Sequence, residues 1–227
     1  PGYTTPDSRY EVLFNSYYNG VGEQFPRPQR GMLSRPTVTQ VLDYRAKVDS
    51  AMAALLASTQ HPERDMITAR TQLGVEHERQ HQELFFTDIK YSLAVNPLLP
   101  TYIEAAGIEE AGVSAPRWHG FPGGLIEFGF DGTGFCFDNE LPRHKAFVES
   151  FELANRLVSN GEYQKFIDDG GYRRPELWLS DGWNTVTNQA WQAPQYWLER
   201  DSEALVYTLH GVRPRQAGTP VCHVSGY

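Results

Sequence analysis

Two histidines four residues apart, His77 and His81, lie in the stretch GVEHERQHQELFFTDIK that runs from Gly74 to Lys90. Residues at i and i+4 share one face of a helix, so both imidazoles can offer a nitrogen to one divalent metal. The same stretch spells H-E-x-x-H, in which Glu78 would be the general base of a zinc hydrolase. Glu78 lies about 100° around the helix from His77, so helical geometry alone admits that chemistry. No H-x-x-G-x-x-H continuation follows, because Gln82, Glu83 and Leu84 come after His81. The next histidine, His119, is distant, and Glu104 could serve only if a Pro-rich stretch folded back as a helix. Two ligands do not name the metal.

The elements that must carry this pair are legible. Pro36 is followed by Thr37 and Gln40, spaced as a capping box. Val38, Val41, Leu42, Val48, Met52, Leu55 and Leu56 then recur at a helical period. His61-Pro62 breaks that helix, and His61 is expected to cap or face solvent there. A second helix is predicted from about Glu63 to about Val95, where Asn96-Pro97 stops it. Its face Arg70, Leu73, Gly74, His77, His81, Leu84, Phe85 and Asp88 puts both histidines in the stripe expected to face a core. Two long helices joined by a short turn read as half of a bundle.

Residues 97–117 are rich in Pro, Ala and Gly and read as a linker. Beyond Trp118 the pattern becomes α+β. FPGGLIEFGF and KAFVESFELA each read as a strand, Asn160 to Ile167 as a short helix, and DGGY and LSDGW as turns. Trp178, Trp183, Trp191, Tyr196 and Trp197 are expected in the core of this half.

A net charge of −8 argues against nucleic acid or an anionic membrane as partner. No apolar run approaches the roughly 20 residues that cross a bilayer. Cys136 and Cys222 are the two cysteines, too few for a disulfide framework, so a reducing cytoplasm is the expected setting.

HERQHQELFFTDIKYSLAVNPLLPTY resembles the metal-binding helix of the DinB-like domain in ergothioneine-biosynthesis sulfoxide synthases of the EgtB type. LFNSYYNGVG and PRPQRGMLSRPTV resemble the segments that precede it. FPGGLIEFG, DNELPRH, VSNGEYQKFIDDGGYRRPELWLSDGW and PVCHVS resemble the family's domain related to formylglycine-generating enzyme, which has a C-type-lectin-like fold. The resemblance implies an α + (α+β) chain. Residues 1–96 would be a partial DinB-like bundle, 97–117 the linker, and 118–227 part of the lectin-like domain.

It also implies a reaction. The family joins a thiol, γ-glutamylcysteine or cysteine, to the imidazole of hercynine with O2 and iron(II), giving a sulfoxide. Related branches make ovothiol precursors or use selenosugars. His77 and His81 would be two of three iron ligands, and Gln80 would contact the hercynine imidazole. On helical geometry alone Gln80 is a solvated side chain. Arg27 and Arg30 match a basic segment that binds the carboxylates of the thiol substrate, with Arg35 a third candidate.

The family's first iron ligand precedes the NSYY segment, and its Trp-rich loop and active-site tyrosine follow PVCHVS. The sequence therefore reads as an internal piece. Alone, it is expected to be inactive and to leave the apolar stripe of its metal helix uncovered. Other outcomes to weigh are a DinB-type thiol transferase or hydrolase with a different metal, and a lectin-like binding module.

Overall fold

The computed structural model describes residues 3–15, 18–20, 22, 24–104 and 112–227. Ser16, Tyr17 and Val21 of the NSYY segment, and 105–111 of the expected linker, lie outside the described residues. The chain divides into two compact units, Pro1–Glu76 and His77–Tyr227.

The first unit opens with a short helix, α1 (Arg9–Leu13), whose Tyr10 meets Tyr44 edge-on at 5.2 Å. Asn15 is buried and bonded to Tyr18 and Gly22. Its Nδ2 donates to the carbonyls of Tyr18 and Gly22, and its Oδ1 accepts from the Tyr18 N–H. Arg27–Met32 form a 3₁₀ turn, and α2 (Val38–Ala57) starts from the expected capping box. The Gln40 N–H donates to Thr37 Oγ1, while Gln40 Oε1 accepts from the Thr37 N–H. At the other end, Arg64 Nη1 donates to the carbonyls of Leu56 and Ser58, and Ser58 also accepts from the His61 N–H.

Helix α3 (Arg64–Val95) follows, about 48 Å long at 1.5 Å per residue. His61 Nδ1 accepts from the Glu63 N–H at its start, the capping role expected of it. Asn96 ends the helix by accepting from the N–H groups of Leu98 and Leu99. The stripe along α3 does not face a core: Leu73, Leu84 and Phe85 are about half exposed.

In the second unit, β1 (Trp118–Phe121) pairs with β4 (Phe151–Ala154), and β2 (Gly124–Phe128) with β3 (His144–Val148). KAFVESFELA is therefore two strands and not one. Both pairs keep a single register, so they form one antiparallel ribbon broken where Pro122-Gly123 faces Glu149-Ser150. Pro122 has no N–H for a ladder. Gly123 sits at φ 70°, with the Val148 carbonyl 2.4 Å from where a Cβ would be. A side chain fits neither that backbone nor that space.

Helix α4 (Asn160–Asp168) begins with Ser159 capping Glu162. Glu162 in turn takes a bidentate pair from Arg156, at 2.8 and 2.7 Å. That pairing, with the Ser159 N–H, holds the Glu162 carboxyl at about 2, below its ordinary 4.5. The contribution of the network is therefore complete above pH 4.5 and is lost as pH falls towards 2. An Arg156→Met variant is expected to unfold at a higher pH than the parent in an acid titration followed by tryptophan fluorescence. Ser159→Ala should cost about 1 kcal/mol, read as a lower urea midpoint at unchanged slope.

LSDGW is not a turn, because Ser180 opens α5 (Ser180–Gln189). Gly182 is there for closeness: a Cβ would meet Tyr227 at 2.3 Å and Trp178 at 3.4 Å. DGGY does turn, with Gly170 at φ 81° and Gly171 pressed on the Phe166 ring. Strands β5 (Trp197–Arg200), β6 (Glu203–Thr208) and β7 (Gly211–Pro214) form an antiparallel meander.

Tyr207 of β6 is the most buried large side chain, and its hydroxyl donates to the Pro100 carbonyl at 2.7 Å. Tyr102 and Ile103 donate their N–H groups to the Leu209 carbonyl. Residues 100–103 are thus docked on the meander. Trp178, Trp183, Tyr196 and Trp197 are partly buried, as expected, but Trp191 is half exposed. Trp191 follows Ala190, whose left-handed backbone ends α5 and turns the chain outward.

Candidate metal and substrate site

The regular backbone of α3 brings His77 and His81 side by side, with ring centroids 4.5 Å apart and planes at 77°. At that spacing a single ion about 2.1 Å from a nitrogen of each ring can be shared. His77 is half-buried and His81 is exposed. Among the described residues neither ring has a hydrogen-bond partner, so a nitrogen of each is open to a ligand. Metal-bound imidazoles ordinarily hold a carboxylate or carbonyl through the second nitrogen, and no such partner is present among those residues.

Among the described residues no group of three or more His, Cys, Asp or Glu is arranged to hold a metal. Neither Glu104 nor His119 joins the pair. The donor set is two neutral nitrogens, which suits iron(II), zinc or copper and disfavours magnesium or calcium. Gln80 is exposed, three residues from His77 and directly before His81. Its amide can donate and accept beside whatever the histidines hold. Glu78 is also exposed.

Arg27 and Arg30 lie in the first unit, on the 3₁₀ turn. Arg27 is exposed, whereas Arg30 is partly buried and its Nε donates to the Phe25 carbonyl at 3.2 Å. Arg35 donates to the Arg30 carbonyl. Arg30 and Arg35, but not Arg27, line a cleft of about 270 Å³ whose other walls are Leu13, Phe14, Asn15, Phe25, Leu33 and Pro36. A cleft with apolar walls and two guanidinium groups has the chemistry to take a small carboxylate. Arg35, the third candidate from sequence, lines the cleft while Arg27 does not.

A model of the sulfatase-modifying factor enzyme 1-like domain matches residues 105–227, more than half of the chain. The chain belongs to this family. The match covers the ribbon, α4, α5 and the meander, so the α+β half is the domain the sequence resembled. A relative named hercynine oxygenase, from Mycolicibacterium thermoresistibile, is 31% identical over 99% of this chain and 47% of its own length. Another of that name, from Mycolicibacterium smegmatis, is 35% identical over 56% of this chain and 30% of its own. Ergothioneine biosynthesis protein 1 of Schizosaccharomyces pombe is 34% identical over 35% of this chain and 8% of its own. These relatives bear out the resemblance to the EgtB type. The chain spans about half the length of the first of them and less of the others. Among the described residues no helix is long and apolar enough to cross a membrane.

Proposed function

We propose that this chain is part of an iron(II)- and O2-dependent sulfoxide synthase of ergothioneine biosynthesis. The reading carries residues 1–96 as a DinB-like metal-binding bundle and 118–227 as the lectin-like domain. The observation behind it is the His77–His81 pair, 4.5 Å apart on α3 in a chain whose relatives are named hercynine oxygenase. In this reaction the thiol S–H and the C2–H of the hercynine imidazole are replaced by a C–S bond. One O2 supplies the sulfoxide oxygen and leaves its second oxygen as water, so atoms and electrons balance.

Iron(II), when bound, would supply O2 activation. His77 and His81 would hold it through neutral imidazoles. Gln80 projects beside them and orients the hercynine ring by a hydrogen bond to a ring nitrogen. Arg30 receives a carboxylate of the thiol substrate, and Arg35 lines the same cleft. Two guanidinium groups match the two carboxylates of γ-glutamylcysteine better than the single one of cysteine. Arg27 is the alternative carboxylate partner.

Anaerobic calorimetry of hercynine binding to the iron-loaded protein tests the reading. Gln80→Ala should weaken binding about fivefold, the value of one hydrogen bond worth about 1 kcal/mol. Hercynine that fails to bind, or binds alike to parent and variant, would remove Gln80 from the site.

A further inference from the structure

On the back of α3, nine residues beyond His81 and so half a helical rotation away, Lys90 meets two residues from distant parts of the chain. Its Nζ is 2.9 Å from His223 Nε2 and lies 4.4 Å from the centre of the Tyr196 ring. The Tyr196 and His223 rings meet edge to face at 4.7 Å. An ammonium group only donates, so His223 Nε2 must be the acceptor, and the ring is neutral with its proton on Nδ1.

Both partners are held in backbone conformations that residues with side chains rarely adopt, φ 72° for Tyr196 and 61° for His223. Each is anchored separately. The Tyr196 carbonyl accepts from the Tyr207 N–H of β6, and the Val221 N–H donates to the Val158 carbonyl. Two such uncommon conformations thus converge on one lysine.

We infer that Lys90 is a positioning residue for the metal helix: a latch that fixes the rotation of α3 while His223 is neutral and releases it when His223 is protonated. The latch matters for activity only if the proposed function holds, because it sets where His77, Gln80 and His81 point. A second proton on His223 would leave two cationic donors facing each other at hydrogen-bond distance.

The groups around His223 fit this switch. Lys90 faces it from α3, Tyr196 from the segment before β5, and Cys222 precedes it. Tyr91 of α3 and Tyr207 of β6 act on Tyr196. Among the described residues no carboxylate pairs with Lys90 to compensate a charged His223. Partial burial, and then the Lys90 charge, hold His223 below its ordinary 6.5. Burial also lowers Lys90 from its ordinary 10.5, and the nearby Cys222 thiol partly offsets this. The contribution of the latch is therefore full above pH 6.5 and declines as pH falls below it.

Hydrogen exchange of the protein, corrected for intrinsic rates, tests this without metal or substrate, so its outcome is independent of the proposed function. Over residues 84–95 the parent should exchange about tenfold faster at pH 5.5 than at pH 7.5, the effect of one lost charge-assisted contact. Lys90→Met should be fast at both values. His223→Gln keeps an acceptor that does not titrate, and should be slow at both. A Lys90→Met protein protected like the parent at pH 7.5, or a His223→Gln protein that keeps the parent's pH response, overturns the latch. If Lys90→Met does not fold, the His223→Gln comparison decides alone.

Discussion

His81→Ala is expected to weaken iron(II) binding by on the order of 100-fold or more, since even the outer partners of metal ligands are worth 10- to 100-fold. Hercynine-dependent O2 consumption should fall to the background of free iron. Stability should hardly change, because His81 is exposed and makes no hydrogen bond among the described residues. A surface substitution of that kind stays within about 0.5 kcal/mol. Equilibrium dialysis against iron(II), with a melting curve of the same sample, separates the two effects. Unchanged affinity together with an unchanged melting temperature would leave His81 an ordinary surface histidine.

Arg30→Ala should raise the KM for γ-glutamylcysteine by roughly 10- to 100-fold while leaving kcat within a few-fold. A charged hydrogen bond is worth about 1.5–3 kcal/mol, and binding that is equal in ground and transition states appears in KM. Arg35→Ala should affect γ-glutamylcysteine and spare cysteine, because the second guanidinium has no carboxylate to meet on the shorter thiol. Arg27→Ala should do little to either, given that Arg27 stands outside the cleft. Steady-state rates with both thiols check the set. An Arg27→Ala defect larger than that of Arg30→Ala would reverse the assignment. Arg30 also holds the Phe25 carbonyl, so Arg30→Lys belongs in the series to keep loop damage apart from lost recognition.

What could be read from the sequence was local. The capping box of Thr37 and Gln40, the stop at Asn96-Pro97 and the helix from Asn160 each rest on neighbours within four residues, and each element formed where expected. LSDGW misled because Gly182 looks like a turn residue, yet its reason is the approach of Tyr227 and Trp178. The broken ribbon misled because the break at Glu149-Ser150 is set by Pro122-Gly123 on the opposite strand. The amphipathic pattern of α3 was correct as a pattern, but a stripe says only that a face is apolar, not what covers it.

The candidate site divides in the same way. The spacing of His77 and His81 is a property of any helix, so their convergence needed no tertiary information. Arg35 joins Arg30 through a bond to the Arg30 carbonyl, but the apolar walls of their cleft come from Leu13, Phe14 and Phe25, which no local pattern groups with them. Lys90 reaches His223 across 133 positions, and no local pattern marks such a contact.

The central claim is that this metal helix serves oxygen-dependent C–S bond formation and not hydrolysis. The most direct measurement is O2 uptake by protein loaded anaerobically with iron(II), and separately with zinc, on addition of hercynine and γ-glutamylcysteine. The account predicts uptake with iron alone, only when both substrates are present, with the sulfoxide as product in equal amount. Peptide hydrolysis by the zinc form, with no O2 uptake by the iron form, would contradict it and return Glu78 and the H-E-x-x-H pattern to the centre of the mechanism.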